Sequence, residues 1–258
     1  MLPILFEISD GVAFITLNRP EKFNSFNREM ALLLQSHLDE CAALPTIRAV
    51  CITGAGKAFC AGQDISELTG QHKLEIKQIL AEHYNPIVKK IRQLPKPVIA
   101  AVNGVAAGAG ANIALCCDIV VATEAASFIQ AFSKIGLIPD SGGTYTLPRL
   151  IGWQKASALM LTGDKVTAAE AEKMGMIYKV LDAAVFNDQY RQLALQIAQM
   201  PTQALAYTKH ALNCSFNNTW QEQLTLEDEY QQKAAATADF QEGITAFIEK
   251  KTPLFKGC

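Results

Sequence analysis

The chain has 258 residues, half of them apolar, with 23 Lys and Arg against 25 Asp and Glu for a formal net charge of −2. That length supports a sizeable buried core, in one large domain or in a core carrying a smaller appendage, and no basic block is present of the kind that tracks a phosphate backbone, which argues against nucleic acid as a partner. The longest apolar stretches, Pro97–Val102 and Ile119–Ala122, fall short of a membrane span, and residues 1–17 carry neither a secretory nor an organellar pattern, so no membrane contact and a cytoplasmic location are expected.

Two short strands are predicted first, Ile4–Ile8 and Val12–Leu17, joined through Ser9-Asp10-Gly11 as a hairpin. After the Asn18-Arg19-Pro20 break, Asn27 can cap a helix from Arg28 to about Leu44, in which Met30, Leu33, Leu34, Leu38 and Cys41 recur at helical spacing. Arg48–Thr53 reads as a strand, and a second helix from about Glu75 to Gln93 leads into the near-continuous apolar strand Pro97–Val102, expected to be buried on both faces. Further strands are predicted at Ile119–Ala122 and Ile177–Leu181. Between them, Thr167-Ala168-Ala169-Glu170 has the capping-box form and Gly175 supplies a helix stop. Beyond Pro201 the texture turns helical, near Gln203–Asn213, Thr219–Ala236 and Asp239–Lys250, with a second capping box at Thr219 to Glu222. Residues 1–200 are therefore read as the core and 201–258 as a helical oligomerisation region, whose Ala246, Phe247 and Ile248 must pack on their own core or on a neighbour.

Three glycine-bearing segments, Ala58–Asp64, Asn103–Asn112 and Gly136–Thr144, follow or approach predicted strands and expose backbone there. In the second, a buried strand runs through a small-residue turn into a helix, so N–H groups at the helix start can hold an oxyanion. A dinucleotide fingerprint fails, because Gly108-Ala109-Gly110 lacks its third glycine and Asp118 comes too soon. Asp140-Ser141-Gly142-Gly143 is similar to the nucleophile stretch of chymotrypsin-like proteases, but the chain is helix-rich and none of His37, His72, His83 and His210 has a triad context. No Gly-x-Ser-x-Gly elbow and no His-Glu-x-x-His motif occurs, so hydrolase and metalloenzyme readings drop and no metal ligand is assigned. The seven cysteines, including the adjacent Cys116 and Cys117, offer no disulfide framework; Cys60, without a nearby His or Lys, reads as a small buried hydrophobe. From the residues alone, Asp140 after a proline reads as a turn former before it reads as a catalyst, Asn112 either faces substrate or satisfies local backbone, Ser141 is a turn hydroxyl, and Phe132 is pocket wall or core.

In chain order, Leu17-Asn18-Arg19-Pro20, Ala58–Ile65, Lys96–Gly104, Cys117-Asp118-Ile119, Gly142-Gly143-Thr144 and Leu161-Thr162-Gly163 resemble the crotonase (enoyl-CoA hydratase/isomerase) superfamily across essentially the whole chain. The resemblance implies an α/β fold, a spiral of repeated strand-strand-helix units with a helical C-terminal region. It further implies acyl-CoA thioester substrates, no cofactor beyond the coenzyme A that enters with the substrate, and homotrimers often paired into hexamers. It places the backbone N–H groups of an oxyanion hole on Gln63 and Ala109, where only the backbone is expected to matter. It places coenzyme A and substrate contacts at Lys22, Ala61, Asp64, Ile65 and Gly108, with Asn112 and Phe132 in the pocket and Phe247 and Lys250 reaching in from a neighbouring tail.

Two departures point to the chemistry. The positions where hydratases of this family carry glutamates read Asn112 and Phe132, neither a general base, and an acid stands at Asp140 where hydratases usually have glycine. One carboxylate suffices to move a proton between two carbons of an acyl chain, so Asp140, with Phe132, Ile138, Phe128 and Tyr145 around it, is expected to have a raised pKa and to serve as the base of an isomerase. Gln130–Thr144, Asn103–Ala111 and Ala238–Gly243 resemble, within the family, the subgroup that isomerises 1,2-epoxyphenylacetyl-CoA to oxepin-CoA in phenylacetate degradation and also shifts enoyl-CoA double bonds from the 3 to the 2 position. The alternatives are an enoyl-CoA hydratase of fatty-acid oxidation, an aryl-CoA dehalogenase using the Asp as nucleophile, and a non-enzymatic RNA-binding relative.

Overall fold

The computed structural model describes residues 2–69 and 73–258; Met1 and residues 70–72, with His72, lie outside the described residues. The described strands are β1 (Ile4–Ser9), β2 (Val12–Leu17), β3 (Ala49–Gly54), β4 (Ala58–Cys60), β5 (Val98–Val102), β6 (Val105–Ala107), β7 (Ile119–Thr123), β8 (Ser127–Ile129), β9 (Lys165–Thr167) and β10 (Lys179–Leu181). The hairpin β1–β2 forms one edge of a six-stranded sheet of order β1-β2-β3-β5-β7-β10, parallel from β2 onward. Its inner strands β2, β3, β5 and β7 are buried along almost their whole length because both faces are covered. Ile15, Ile52, Ala100 and Val102 join one core cluster with Met30, Leu34 and Leu38 of the helix Arg28–Ala43, while Phe14, Cys51, Ile99 and Val121 join a second with Phe186, Tyr190 and Ala194 of the helix Phe186–Ala198. Asn27 caps the first of these helices, its side chain accepting from the Met30 N–H at 3.0 Å.

A second sheet, of order β4-β6-β8-β9, was not legible in the pattern. Three times a strand of the large sheet turns a short corner into a three-residue strand of the small one, β3 into β4, β5 into β6 and β7 into β8, and a helical segment follows. These are the strand-strand-helix units of the spiral. Helices Gly143–Ile151 and Trp153–Thr162 also went unpredicted.

The predicted helix over 75–93 is real but irregular: α-helical Ile76–Ile79 passes through a π-helical stretch, Leu80–Tyr84, before α-helix resumes over Asn85–Gln93. Both predicted capping boxes close, at Thr167 with Glu170 and at Thr219 with Glu222. Past Pro201 come the helices Thr202–Ser215, Trp220–Ala235 and Ala238–Glu249. Lys209 ties the first of them to the core, donating to the Ile91 and Lys96 carbonyls at 2.8 and 3.1 Å and pairing with Asp118 at 2.7 Å. No helix among the described residues is long and apolar enough to cross a membrane.

Candidate active site

The small sheet brings two of the glycine-bearing segments together. A Cβ on Gly110 would lie 2.4 Å from the Cys60 carbonyl oxygen, so only glycine lets the helix Ala109–Leu115 rest against β4. The loop after β4 is then pinned from the other side by Phe26, which donates to the Gly62 carbonyl at 2.7 Å and accepts from the Asp64 N–H at 2.8 Å. Alternation along this parallel bridge turns the intervening Gln63 N–H away from Phe26. Neither that N–H nor the Ala109 N–H is paired with a backbone acceptor among the described residues, and a Cβ built on Gly62 would lie 3.6 Å from the Ala109 nitrogen. Two adjacent segments therefore offer unpaired donors to one cleft.

That cleft, a cavity of about 500 Å³, is lined by Ala61, Gly62, Gln63, Ile65, Gly108 and Ala109 on one side and by Phe132, Ile138, Asp140 and Ser141 on the other, with Ile76, Ile79, Leu80 and Tyr84 of the irregular helix completing the wall. Asp140 is the one carboxylate on it among the described residues. Burial raises its pKa above the ordinary value, and the Ser141 hydroxyl, donating to Oδ1 at 2.8 Å, pulls weakly the other way. The Asp140 carbonyl accepts from the Gly143 N–H at 2.9 Å and from the Asn112 amide at 2.8 Å. A Cβ on Gly143 would fall 2.3 Å from that amide nitrogen, so glycine is required where the helix Gly143–Ile151 meets Asn112.

The expectations for Asn112, Asp64, Phe128 and Tyr145 need correction, and Lys22, Phe247 and Lys250 lie off their own chain's cleft. Asn112 does not face substrate: only 1% exposed, it donates to the Asp140 backbone and accepts from Gln130 at 2.8 Å, so the amide fixes the loop that carries the acid. Phe128 is core, and Tyr145 lies under the Arg149 guanidinium and meets Phe216 edge-on, so neither surrounds Asp140. Asp64 turns from the cleft; burial would raise its pKa, but bonds from Ser66 and from Arg19, paired at 2.8 Å, outweigh that and lower it. Lys22 is exposed on the short 3-10 turn Pro20–Lys22 and does not line the cleft. Phe247 and Lys250 are exposed at the end of the last helix and line nothing in their own chain's cleft. Cys60 is fully buried, and burial pushes its thiol up to about 12, as suits an inert core residue.

Sequence reasoning missed Tyr84, which is buried, lines the cleft and donates its hydroxyl to the Gln63 side chain at 2.8 Å. The only signal was an aromatic within a predicted helix, and the π-helical stretch that turns it inward has no signature in the apolar spacing.

Residues 7–258 match the family described as enoyl-CoA hydratase/isomerase. An Escherichia coli protein named 1,2-epoxyphenylacetyl-CoA isomerase is 46% identical over 258 residues, covering 98% of each chain. A Rhodobacter capsulatus protein named probable enoyl-CoA hydratase is 42% identical over 254 residues, again covering 98% of each. The crystal structure of an enoyl-CoA hydratase from Bacillus anthracis superposes with a TM-score of 0.93 at 34% identity, covering 99% of this chain and all of that one. The α/β spiral, the paired donor loops and these likenesses over the full length agree, and the chain belongs to the enoyl-CoA hydratase/isomerase family.

Proposed function

We propose that this protein is an acyl-CoA isomerase in which Asp140 shuttles a proton through a thioester enolate. The observation that carries this reading is the composition of the cleft wall: one carboxylate of raised pKa, set in an apolar surface, opposite two unpaired backbone donors. In a 3-enoyl thioester, Asp140 takes a proton from C2 and the electron pair moves onto the carbonyl oxygen. The Gln63 and Ala109 N–H groups stabilise that oxygen more as its charge grows, which lowers the barrier rather than merely tightening binding. The carboxylic acid then returns the proton at C4, leaving the 2-enoyl product. Nothing is oxidised or reduced, so the coenzyme A of the substrate is the only cofactor the reaction requires.

Hydration is disfavoured because it needs a second group to orient and deprotonate water; Asn112 is buried and already bonded, and Phe132 is apolar. The aromatic and aliphatic wall suits a ring-bearing acyl group as well as a straight chain. The name of the E. coli protein makes 1,2-epoxyphenylacetyl-CoA the first substrate to try, and the subgroup resemblance of the sequence supports its conversion to oxepin-CoA in a cytoplasmic phenylacetate route. The active form is read as a homotrimer or a dimer of trimers, in which Phe247 and Lys250 of a neighbouring tail complete the coenzyme A site, with Lys22 and Ile65 near its adenine end.

A panel of 3-enoyl-, 2-enoyl- and 1,2-epoxyphenylacetyl-CoA thioesters, run on the wild type and on Asp140→Asn, tests this. Isomerisation should fall by roughly 10²- to 10⁴-fold in the variant, the range set by general acid–base catalysis. Full activity in Asp140→Asn, or rapid water addition to crotonyl-CoA by the wild type, would reject the reading.

A further inference from the structure

Gln63 was expected to serve through its backbone alone, yet its side chain is clamped on both sides. Its Oε1 accepts from the Tyr84 hydroxyl at 2.8 Å, and its Nε2 donates to the Glu67 carboxylate at 2.9 Å. Glu67 in turn accepts from the Arg28 N–H at 2.8 Å, the first residue of the helix Arg28–Ala43. Tyr84 is itself fixed: it is buried, its ring meets Phe26 edge-on with centroids 6.0 Å apart, and Phe26 is the residue that bridges to Gln63. The π-helical stretch Leu80–Tyr84 adds a residue to its helix and turns Tyr84 onto the cleft wall, and such irregularities are frequent at functional sites.

We propose that Tyr84 is a positioning residue: its hydroxyl holds the Gln63 side chain, and through it the Gln63 N–H that stabilises the enolate. The proposal rests on the isomerase reading given above. An oxyanion donor accelerates a reaction only if its direction is set before charge develops. Small residues at this position have no side chain to clamp, whereas the Gln63 amide offers an acceptor to a phenol and a donor to a carboxylate, and both are used. The phenol proton is committed to Gln63, so Tyr84 acts on the substrate only through the loop.

The test compares wild type, Tyr84→Phe, Gln63→Met and the double variant in steady-state isomerisation of a 3-enoyl-CoA. Either single change should lower kcat by roughly ten-fold, about the weight of one well-aimed hydrogen bond, with KM little changed. The double variant should be no worse than the worse single one, because the two residues act as one unit. A second readout needs no turnover: the infrared stretch of a ¹³C-labelled thioester carbonyl in a bound saturated acyl-CoA should lie below its solution value in the wild type and move back toward it in each variant.

Unchanged kcat and unchanged carbonyl stretch in Tyr84→Phe, with Asp140→Asn inactive, would overturn the role of Tyr84 and leave the isomerase reading standing. Additive losses in the double variant would overturn it as well. Activity retained in Asp140→Asn would instead remove the isomerase reading, and the carbonyl stretch would still decide whether Tyr84 orients the donor. Should Tyr84→Phe fail to fold, Gln63→Met, at a loop position outside the core, carries both readouts alone.

Discussion

Asp140 is costly to the protein in the form its proposed chemistry needs. Burial raises its pKa, so the folded chain holds the proton more tightly than the unfolded chain does. By linkage, the favourable contribution of that proton is complete below the unfolded pKa of about 3.9 and is lost as pH rises through the higher folded value. At neutral pH the buried carboxylate therefore lowers stability, with the Ser141 hydroxyl offsetting only part of the effect. Asp140→Asn removes the charge and keeps the shape, and at pH 7 it should melt at a higher temperature than the wild type. That advantage should shrink as the pH is lowered toward the ordinary carboxylate range. Thermal melts of both proteins between pH 7 and pH 4 decide it: a variant equally stable or less stable at pH 7 would mean that Asp140 bears no desolvation cost. A residue that costs stability where it also supplies reactivity is a common signature of a functional position.

The acid is aimed by the contact between two helices. Asn112, on Ala109–Leu115, holds the Asp140 carbonyl, and Gly143, the first residue of Gly143–Ile151, gives the amide room. Gly143→Ala places a methyl against the amide nitrogen and should cost about 1–3 kcal/mol as overpacking. Activity should fall with stability, because the displaced amide releases the loop that carries Asp140. Urea denaturation and isomerase assays check both, and a variant as stable and active as the wild type would show that the two helices part freely here. Elements of this kind divide sharply in legibility. The large sheet could be read from its strands, since Val98–Val102 is apolar throughout and its neighbours Ala49–Gly54 and Ile119–Thr123 nearly so. The small sheet could not, because its strands are three residues long, too short for a period to be read. Asp140 stood out only through the order of motifs around it. The inward position of Tyr84 depends on one extra residue in a helical turn, and the buried role of Asn112 depends on a partner 28 residues away, neither of which leaves a local pattern.

Across the whole molecule, the helical tail is fixed to its own core yet leaves apolar surface uncovered. Arg48 grips it through the Thr202 hydroxyl and the Phe255 carbonyl at 3.0 and 2.8 Å, and Lys209 anchors it through the buried pair with Asp118. Despite this, the helix Trp220–Ala235 buries none of its residues, and Phe247 and Ile248 are 86% and 72% exposed. Trp220, Leu161 and Leu254 are similarly open to water. Large side chains in that number on a held surface call for a partner, and closed symmetric association of identical chains is the commonest way to supply one. The trimer or dimer of trimers proposed above would give three or six chain masses in sedimentation. Phe247→Asp puts a charge where an apolar contact is expected and should shift the distribution toward smaller species, with activity falling on dilution if a neighbour's tail completes the cleft. A wild type that sediments as one chain, or a variant unchanged in both mass and activity, would mean that Phe247 stays in solvent and that each cleft works without its neighbour.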